Sequence, residues 1–348
     1  MEVVLFESEP RERDAFGRIA PTRKAIFVDA PLAPGNVLEF AHAEIVSTFI
    51  YSNLSREVLA ALPKLKLIAT RSTGVDHIDL DYCREHEIAV SNVPTYGENT
   101  VAEHVFALLL AISHRLPEAI ARARSGRFSP EGLDGFDLKG RTIGVVGTGS
   151  IGRCVIRIAK GFAMKVLAFD VRPVPACAAE LEFEYVKLDR LLGAADVISL
   201  HIPALPGGRH LIGEAAFAKM KNGAILINTA RGSLVDSRAL ISALRSGKVA
   251  HAGLDVLADE PLIREEAELV VSTHYEQSDL RELVADHVLL DSPQVIVTPH
   301  SAFNTKEAVD RIIETTVDNI EGFLKGKPLN LVTDRRDHPG SRRTRPHD

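Results

Sequence analysis

The chain has 348 residues, of which 45% are apolar and 25% are charged, so it is long enough and apolar enough for two globular domains. A net charge of −6 at pH 7 and an aromatic content of only 5% argue against a surface for nucleic acid or for an anionic membrane. The amino terminus lacks a basic start before an apolar stretch, and no run of about 18 apolar residues occurs, so we expect neither a signal peptide nor a transmembrane helix.

The first hundred residues alternate short apolar runs with helical stretches, the pattern of βαβ units around a parallel sheet. No glycine-rich phosphate-binding loop occurs in this block, so we expect an α/β domain without a nucleotide site. Strands are predicted at residues 3–6, 25–28, 45–50, 65–70 and 88–90, and helices at 55–62 and 79–87.

Residues 99–116 are apolar at helical spacing and, on the central turns, almost all round the helix. Such a helix is buried, which here predicts a position between domains or between subunits. Pro94 and Gly97 precede it and Pro117 follows it, as expected for the two ends of a helix.

A second block of strands and helices follows, with strands predicted at residues 142–146, 165–170, 197–201, 224–228, 252–256 and 295–298. Six short strands with intervening helices match a doubly wound dinucleotide-binding domain. The acidic connection 264–291 is predicted to be partly helical, and residues 305–325 form a strongly amphipathic helix. The charged tail from Asp334 lacks apolar residues and is predicted to be disordered.

The most informative segment is a G-x-G-x-x-G turn between a strand and a helix. Gly147 allows the tight turn, Gly149 lets the backbone approach a pyrophosphate, and Gly152 lets the helix pack closely on the strand. The free N–H groups at the start of the helix then face the phosphates. The next strand ends in Asp170, close to the spacing of about 20 residues at which a carboxylate binds the adenosine ribose.

The carboxylate of Asp170 also predicts the choice of cofactor. It repels a 2′-phosphate, which favours NAD over NADP. Arg172, two residues later, is able to pair with such a phosphate if the loop is rearranged.

Three ionisable residues follow later strands, where open α/β sheets hold their ligands: Arg231, Glu260 and His300. Singly, each is more simply explained as a solvated arginine, a loop carboxylate or a histidine in a local hydrogen bond. Together they supply what hydride transfer to a keto acid needs. The arginine is a fork for the carboxylate, the histidine donates a proton near neutral pH, and the glutamate raises the pKa of the histidine.

Cys83, Cys154 and Cys177 are odd in number and lack metal-like spacing, and no other cluster suggests a metal site. We expect reduced thiols in a cytoplasmic protein and small, buried apolar side chains at all three positions.

These segments, in this order, resemble the D-isomer-specific 2-hydroxyacid dehydrogenases over about residues 1 to 332. The segments are 73–79 (TGVDHID), 147–152 (GTGSIG), 228–232 (NTARG), 255–261 (DVLADEP) and 298–300 (TPH). The resemblance implies that Arg231 binds the carboxylate and carbonyl of the substrate, that His300 is the acid/base, and that Glu260 supports His300.

The resemblance also implies the remaining contacts. Backbone N–H groups at Thr73 and Gly74 would meet the substrate carboxylate, although the spacing alone favours a plain turn there. Tyr96 lies by the substrate in the D-lactate dehydrogenase-like branch, which this chain resembles most, but a packing role at the start of a helix is equally open. The implied cofactor contacts are Gly147, Gly149, Ser150, Ile151, Gly152, Asp170, Ile202, Pro203, Thr229, Ala230, Arg231, Asp255 and His300, with Asp255 facing the nicotinamide carboxamide.

The implied fold has two doubly wound parallel-sheet domains with a cleft between them for the substrate. Residues 1–100 and 301–333 would form a flavodoxin-like substrate domain, 101–300 a Rossmann NAD-binding domain, and 334–348 a disordered tail. The family is usually dimeric through the nucleotide domain, and the apolar helix near residues 100–115 suits a subunit interface, so a homodimer without nucleic-acid or membrane partners is expected.

Two departures leave the substrate open. Asn304 stands where the lactate branch commonly has tyrosine, and the interval from Glu260 to His300 is longer than in much of the family. Pyruvate is the expected type of substrate, with glyoxylate or hydroxypyruvate reduction as the alternative. A phosphite-oxidising branch normally has lysine in place of Thr73 and is disfavoured. A non-catalytic, NAD-sensing regulatory protein of the same fold is the alternative from another class.

Overall fold

A computed structural model of the protein describes residues 1–8, 10–17, 24–205, 207, 209–258 and 277–332. The chain divides into two units, one formed by Met1–Tyr96 with Thr305–Asp348 and the other by Gly97–Asn304. The predicted disordered tail and residues 259–276 of the acidic connection lie outside the described residues.

The strands are numbered along the chain as β1 Glu2–Leu5, β2 Lys24–Phe27, β3 Ile45–Thr48, β4 Leu67–Thr70, β5 Ala89–Ser91, β6 Thr142–Val146, β7 Lys165–Phe169, β8 Glu184–Tyr185, β9 Val197–Leu200, β10 Ala224–Asn228, β11 Val249–Leu254 and β12 Val295–Val297. The α-helices of the described part are α1 Pro10–Phe16, α2 Arg56–Ala60, α3 Leu80–Glu85, α4 Glu98–Ser113, α5 Leu116–Arg124, α6 Ser150–Gly161, α7 Pro175–Leu181, α8 Leu188–Ala194, α9 Glu214–Lys219, α10 Ser237–Arg245, α11 Gln277–Leu290 and α12 Lys306–Leu324. Short 3-10 helices occur at Val37–Phe40 and Gly232–Leu234.

The first unit is built on a five-stranded parallel sheet in the order β2-β1-β3-β4-β5. This 2-1-3-4-5 order is the flavodoxin-like one, as predicted. Strands β3 and β4 are buried along their whole length, as central strands of a covered parallel sheet are. Helix α12 closes the unit by packing on β4 and α1 through the stripe Val309, Ile312, Ile313, Val317 and Ile320.

The second unit contains a seven-stranded parallel sheet in the order β12-β11-β10-β9-β6-β7-β8. Reading from β8 to β11 gives the doubly wound order 3-2-1-4-5-6, and β12 extends it at one edge. The order of the strands reverses between β6 and β9, which is the switch point where such sheets bind ligands. The sequence predicted six strands and missed β8, because its two residues are too few to show a pattern.

Helix α4 is buried by its own unit. Its apolar residues belong to the same core as strand β6 and helix α6, and they also contact β10 and β11. At Gly253 of β11, an added Cβ would come within 3.0 Å of Leu108, so the helix lies very close to the sheet. Packing within its own unit therefore accounts for the burial of most of α4, and a position of this helix between domains or subunits stays a prediction.

The three cysteines are free thiols, with Cys83 and Cys177 buried as expected and Cys154 only half-buried. Burial raises the pKa of Cys83 to about 12, so its thiol stays protonated at neutral pH. Within the described ranges no single helix is long and apolar enough to cross a membrane; α4 and α5 reach that length and composition only as a pair bent by 62°.

Candidate active site

The predicted cofactor residues lie at one edge of the seven-stranded sheet, because its strands are parallel and each of these residues follows the carboxyl end of a strand. From one side of the edge to the other they are His300 after β12, Asp255 after β11, Thr229, Ala230 and Arg231 after β10, Ile202 and Pro203 after β9, Gly147 and Gly149 after β6, and Asp170 after β7. Ser150, Ile151 and Gly152 form the first turn of α6 at the same edge.

The glycine turn has the geometry that each glycine was predicted to need. Gly147 has a φ of +96°, which only glycine adopts readily. A Cβ at Gly152 would collide with the carbonyl oxygen of Gly147, so helix and turn are in close contact. At Gly149, no atom of the described residues, its two chain neighbours apart, lies within 4 Å of the place where a Cβ would stand. The turn therefore leaves the amino end of α6 open to an anion.

Asp170 is held in place by the glycine turn. Its Oδ2 accepts hydrogen bonds from the backbone N–H of Thr148 at 2.7 Å and from the Thr148 hydroxyl at 2.9 Å, and its Oδ1 accepts from the N–H of Arg172 at 2.8 Å. Burial on its own raises the pKa of Asp170, but these hydrogen bonds and the charge of Arg153 outweigh it and hold the pKa below its usual value. Asp170 is therefore a fixed carboxylate with an acceptor position left on Oδ1 for a ribose hydroxyl.

Tyr185 of the edge strand β8 extends this chain of hydrogen bonds. Its hydroxyl lies 2.8 Å from Oγ1 of Thr148. Thr148 has one hydroxyl hydrogen and donates it to Asp170, so Tyr185 must be the donor in this pair. Val171, which follows Asp170, is an exposed apolar side chain.

Arg231 is positioned through a buried asparagine at the end of β10. Oδ1 of Asn228 accepts from the N–H of Ala230 at 3.0 Å, and Nδ2 of Asn228 donates to the carbonyl oxygen of Arg231 at 2.9 Å. A Cβ at Gly232 would collide with the backbone of Leu257, so the turn also lies against the chain that follows β11. The local backbone of Arg231 is therefore set by side-chain and backbone contacts on both sides.

A buried hydroxyl group in the same turn is consistent with the binding of a dinucleotide. Among the described residues, Oγ1 of Thr229 is a buried oxygen without a hydrogen-bond partner. A buried hydroxyl is costly unless something binds it, so a partner is expected at this position. Together with the open amino end of α6 and the fixed carboxylate of Asp170, this shows that the residues present fit NAD.

His300 lies in a loop built around Asp255. The Asp255 carboxylate accepts from the Thr298 hydroxyl at 2.6 Å and from the N–H groups of Ser301 and Ala302 at 2.9 Å each. The Asp255 carbonyl oxygen accepts from the N–H of His300 at 2.9 Å. His300 has a φ of +50°, the left-handed region that a non-glycine residue enters at a cost.

Asp255 itself is 1% exposed and charged. Burial on its own raises the pKa of Asp255, but hydrogen bonds from His104, Thr298 and the loop backbone outweigh this and hold the pKa below its usual value. His104 of α4 takes part through Nε2, which lies 3.0 Å from Oγ1 of Thr298 and 3.4 Å from Oδ1 of Asp255.

His201, at the carboxyl end of β9, is a second histidine at this edge. Its Nε2 lies 2.8 Å from Oγ of Ser199, and burial lowers its pKa to about 3. It is therefore neutral at physiological pH and immediately precedes Ile202 and Pro203.

The predicted substrate residues of the first unit follow β4. The Thr73 hydroxyl donates to the carbonyl oxygen of Val93 at 2.7 Å, and the Ser72 hydroxyl donates to that of Gly74 at 2.6 Å. Within the described residues, no partner is found for the N–H groups of Thr73 and Gly74. The side chains of this loop thus hold its conformation, and its binding of a substrate carboxylate stays a prediction.

Arg71, which immediately precedes this loop, is fixed by contacts within the first unit. The Arg71 side chain is buried, donates to the carbonyl oxygens of Phe6 at 2.6 Å and Glu7 at 2.9 Å, and pairs with Glu12 at 3.2 Å. Tyr96 ends the same unit, and its carbonyl oxygen accepts from Nε of Arg311 at 2.6 Å. Glu260 lies outside the described residues, so its support of His300 stays a prediction.

The residues at these sites that were assigned no role from the sequence include His104, Thr148, Tyr185, His201, Asn228 and Thr298. Two of them, Asn228 and His104, are polar residues within apolar elements, which is a signal visible in the sequence. Asn228 ends an otherwise apolar strand, and His104 interrupts an apolar helix, so both had to find polar partners once buried.

The fold and the site define a class, an NAD-dependent oxidoreductase with a doubly wound nucleotide unit. A family model described as "D-isomer specific 2-hydroxyacid dehydrogenase, NAD binding domain" matches residues 106–302. The chain is 43% identical to D-lactate dehydrogenase of Escherichia coli over 295 residues, 83% of this chain and 86% of that protein. The protein belongs to the D-isomer-specific 2-hydroxyacid dehydrogenase family.

The chain is also similar to a glyoxylate reductase in sequence and to a second D-lactate dehydrogenase in structure. Glyoxylate reductase of Thermococcus litoralis is 37% identical over 313 residues, 87% of this chain and 88% of that protein. The crystal structure of D-lactate dehydrogenase from Aquifex aeolicus, complexed with NAD and lactic acid, superposes with a TM-score of 0.85 at 34% identity, over 95% of this chain and 99% of that one. The resemblance to this family and to its lactate dehydrogenase-like branch is thereby confirmed.

Proposed function

We propose that the protein reduces a small 2-keto acid of the pyruvate type to the D-2-hydroxy acid with NADH. The observation that carries this proposal is the placing of Arg231 and His300 after β10 and β12, at the sheet edge that also carries the glycine turn and Asp170. An anion-binding arginine and a proton-donating histidine thus share an edge with the elements that suit a dinucleotide.

The chemistry of each side chain follows from its donors. The guanidinium of Arg231 binds the substrate carboxylate and carbonyl oxygen through parallel N–H groups. The N–H groups of Thr73 and Gly74 bind the carboxylate as well. His300 holds a proton on its imidazole and donates it to the carbonyl oxygen as that oxygen gains negative charge. Glu260 is the proposed support of the protonated histidine.

NADH, when bound, supplies the hydride that reduces the carbonyl carbon. The amino end of α6, with Gly147, Gly149, Ser150, Ile151 and Gly152, would hold the pyrophosphate. Asp170 would hold the adenosine ribose, and Ile202, Pro203, Thr229 and Ala230 would flank the cofactor. Asp255 would face the carboxamide through the acceptor capacity that its carboxylate retains.

The choice among keto acids rests on relatives and on two side chains. A relative named D-lactate dehydrogenase supports pyruvate, and one named glyoxylate reductase supports glyoxylate or hydroxypyruvate as the second candidate. Tyr96 and Asn304 are the proposed pocket residues that decide between them. An amide at residue 304 is smaller and more polar than tyrosine, so we expect tolerance of a hydroxyl-bearing substrate.

The test is NADH oxidation by the purified protein with pyruvate, glyoxylate, hydroxypyruvate, 2-ketobutyrate and phenylpyruvate. Turnover with one of them supports the dehydrogenase, and chiral analysis of the product must give the D isomer. His300→Ala must abolish most of the turnover while NADH binding, measured by fluorescence, persists. Binding of NADH without turnover of any keto acid would instead favour the NAD-sensing regulatory protein.

We also propose a homodimer in the cytoplasm, without nucleic-acid or membrane partners. We place the proposed dimer surface on the apolar side chains that follow α4, because they are exposed. Leu116, Ile120 and Phe128 of α5 and the following loop are 43%, 48% and 88% exposed, more than apolar side chains usually are. We define these three side chains as the α5 patch.

A further inference from the structure

His104 stands at a place where an apolar helix meets the loop that carries His300. It belongs to α4, its side chain is 20% exposed, and its Nε2 lies 3.0 Å from Oγ1 of Thr298 and 3.4 Å from Oδ1 of Asp255. All of these residues belong to the second unit. The proposed reaction does not use His104.

The direction of each hydrogen bond follows from the number of available hydrogens. Asp255 is a carboxylate and only accepts, so Thr298 donates its single hydroxyl hydrogen at 2.6 Å. Oγ1 of Thr298 is then an acceptor toward His104, and Nε2 of His104 must carry the hydrogen. The order is therefore fixed as a chain that runs from His104 through Thr298 to Asp255.

Asp255 connects this chain of hydrogen bonds to the loop that contains His300. Its carboxylate accepts from the N–H groups of Ser301 and Ala302, and its carbonyl oxygen accepts from the N–H of His300. These contacts hold His300 and the two residues that follow it. They also offset the cost of its left-handed backbone, with a φ of +50°, which a non-glycine residue adopts only when its surroundings stabilise it.

We propose that His104 is a positioning residue for the acid/base, acting through Thr298 and Asp255 to keep the imidazole of His300 aligned for proton transfer. This inference rests on the proposed function, in which His300 donates the proton. His104 contacts the loop and not the reacting atoms, so its removal changes the alignment of His300 while the nucleotide turn stays in place.

The test compares His104→Leu with His104→Gln and with Val105→Ala. Leucine removes the donor, whereas the amide nitrogen of glutamine is able to replace Nε2. Val105 is a fully buried neighbour on the same helix without contact to the loop by hydrogen bonds, so its truncation reports general loosening of α4. The readouts are kcat, the KM for the keto acid, the NADH Kd and the thermal midpoint of unfolding.

We expect His104→Leu to lower kcat by up to about 100-fold, as misplacement of a catalytic group does, with little change in the NADH Kd. His104→Gln restores most of this loss. Val105→Ala lowers the thermal midpoint and leaves kcat near the parent value. Thr298→Val lowers kcat like His104→Leu, and the double variant is no worse than either single one, because both break the same chain.

A kcat of His104→Leu equal to the parent value, or lowered only as much as that of Val105→Ala, overturns the inference. Additive losses in the double variant with Thr298→Val overturn it as well. Failure of the proposed function is distinguishable, because in that case either the parent turns over none of the keto acids or His300→Ala keeps its turnover. If His300→Ala loses its turnover while His104→Leu keeps the parent kcat, only the role of His104 is refuted.

Discussion

The backbone N–H of Asp255 donates to the carbonyl oxygen of Asn228 at 2.9 Å, so the ends of β11 and β10 are joined directly. Each of these two residues also holds a functional loop with its side chain. Asn228 holds the turn with Arg231, and Asp255 holds the loop with His300. The proposed substrate anchor and the proposed acid are thus fixed through two buried polar residues on neighbouring strands.

Removing the Asn228 amide should loosen the substrate anchor. Asn228→Ala leaves the N–H of Ala230 and the carbonyl oxygen of Arg231 without their partners. An unsatisfied polar group costs about 1–3 kcal/mol when it is fully buried, and these two are half-buried, so we expect a smaller loss of unfolding free energy in urea and a raised KM for the keto acid. Asn222→Ala, at an exposed amide of the same unit, is the control and should change neither. An unchanged KM in Asn228→Ala would remove Asn228 from the site.

Arg231→Lys tests the need for a planar fork. Lysine keeps the charge but loses the parallel N–H pair, which is worth about 1.5–3 kcal/mol for a hydrogen bond to a charged group. We expect kcat/KM for the keto acid to fall by about 10- to 100-fold, with NADH binding maintained. Arg238→Lys, an exposed arginine in α10, serves as the control in the same steady-state assay. Equal values for both variants would contradict the anchor.

The fixed carboxylate of Asp170 should determine the cofactor. A charge near a protein surface interacts with another at 4 Å by about 1–4 kcal/mol, so removing Asp170 removes a repulsion of that order toward a 2′-phosphate. We expect Asp170→Ser to lower the NADH over NADPH preference in kcat/KM by about fivefold or more. Thr148→Val, which frees the carboxylate without removing it, should have a smaller effect. Asp189→Ser, at an exposed acid on α8, is the control and should leave the ratio of kcat/KM for NADH to that for NADPH unchanged. An effect of Thr148→Val larger than that of Asp170→Ser would refute this account.

His201 should make the fold sensitive to acid. Burial lowers its folded pKa from 6.5 to about 3, so the unfolded chain binds the proton more readily between these values. Stability from this group is present above pH 6.5 and is lost as the pH falls, at up to about 1.4 kcal/mol per pH unit. The free energy of unfolding from pH 7.5 to 4 should therefore fall less steeply in His201→Asn than in the parent. Parallel curves would show that the histidine does not titrate in this way.

The α5 patch should govern the oligomeric state. A charge in the middle of a subunit interface must be desolvated without a partner, so Ile120→Glu and Phe128→Asp are expected to shift the protein to a monomer. Sedimentation velocity over a range of concentrations measures this shift. Leu38→Asp, at a side chain that is 77% exposed in the other unit, is the matched control and should leave the assembly as in the parent. Dimers that survive both α5 changes would place the interface elsewhere.

Much of this architecture was open to prediction because its signals are local. Strands β6 and β10 coincide with their predicted ranges, since an apolar run bounded by turn residues marks a buried parallel strand. Helix α4 was predicted as buried from its composition. Its packing on α6, β10 and β11 was not predicted, because composition indicates that a surface is covered and not which elements cover it.

The sequence by itself determined the alternation of strands and helices, the glycine turn and the place of Asp170 at the end of a strand; the pairing of Arg231 with His300 stays a proposal. Those features depend on neighbours within a few positions of the chain, where spacing and residue type suffice. Only the tertiary structure decided that His104, 194 residues from Thr298, and Asp255, 43 residues from it, form one chain of hydrogen bonds. The parallel pairing of Leu254 with Val297 brings the loops after β11 and β12 together, and the packing of α4 on the same sheet adds His104. Contacts over such separations arise from the order of the strands and not from any pattern that the sequence displays.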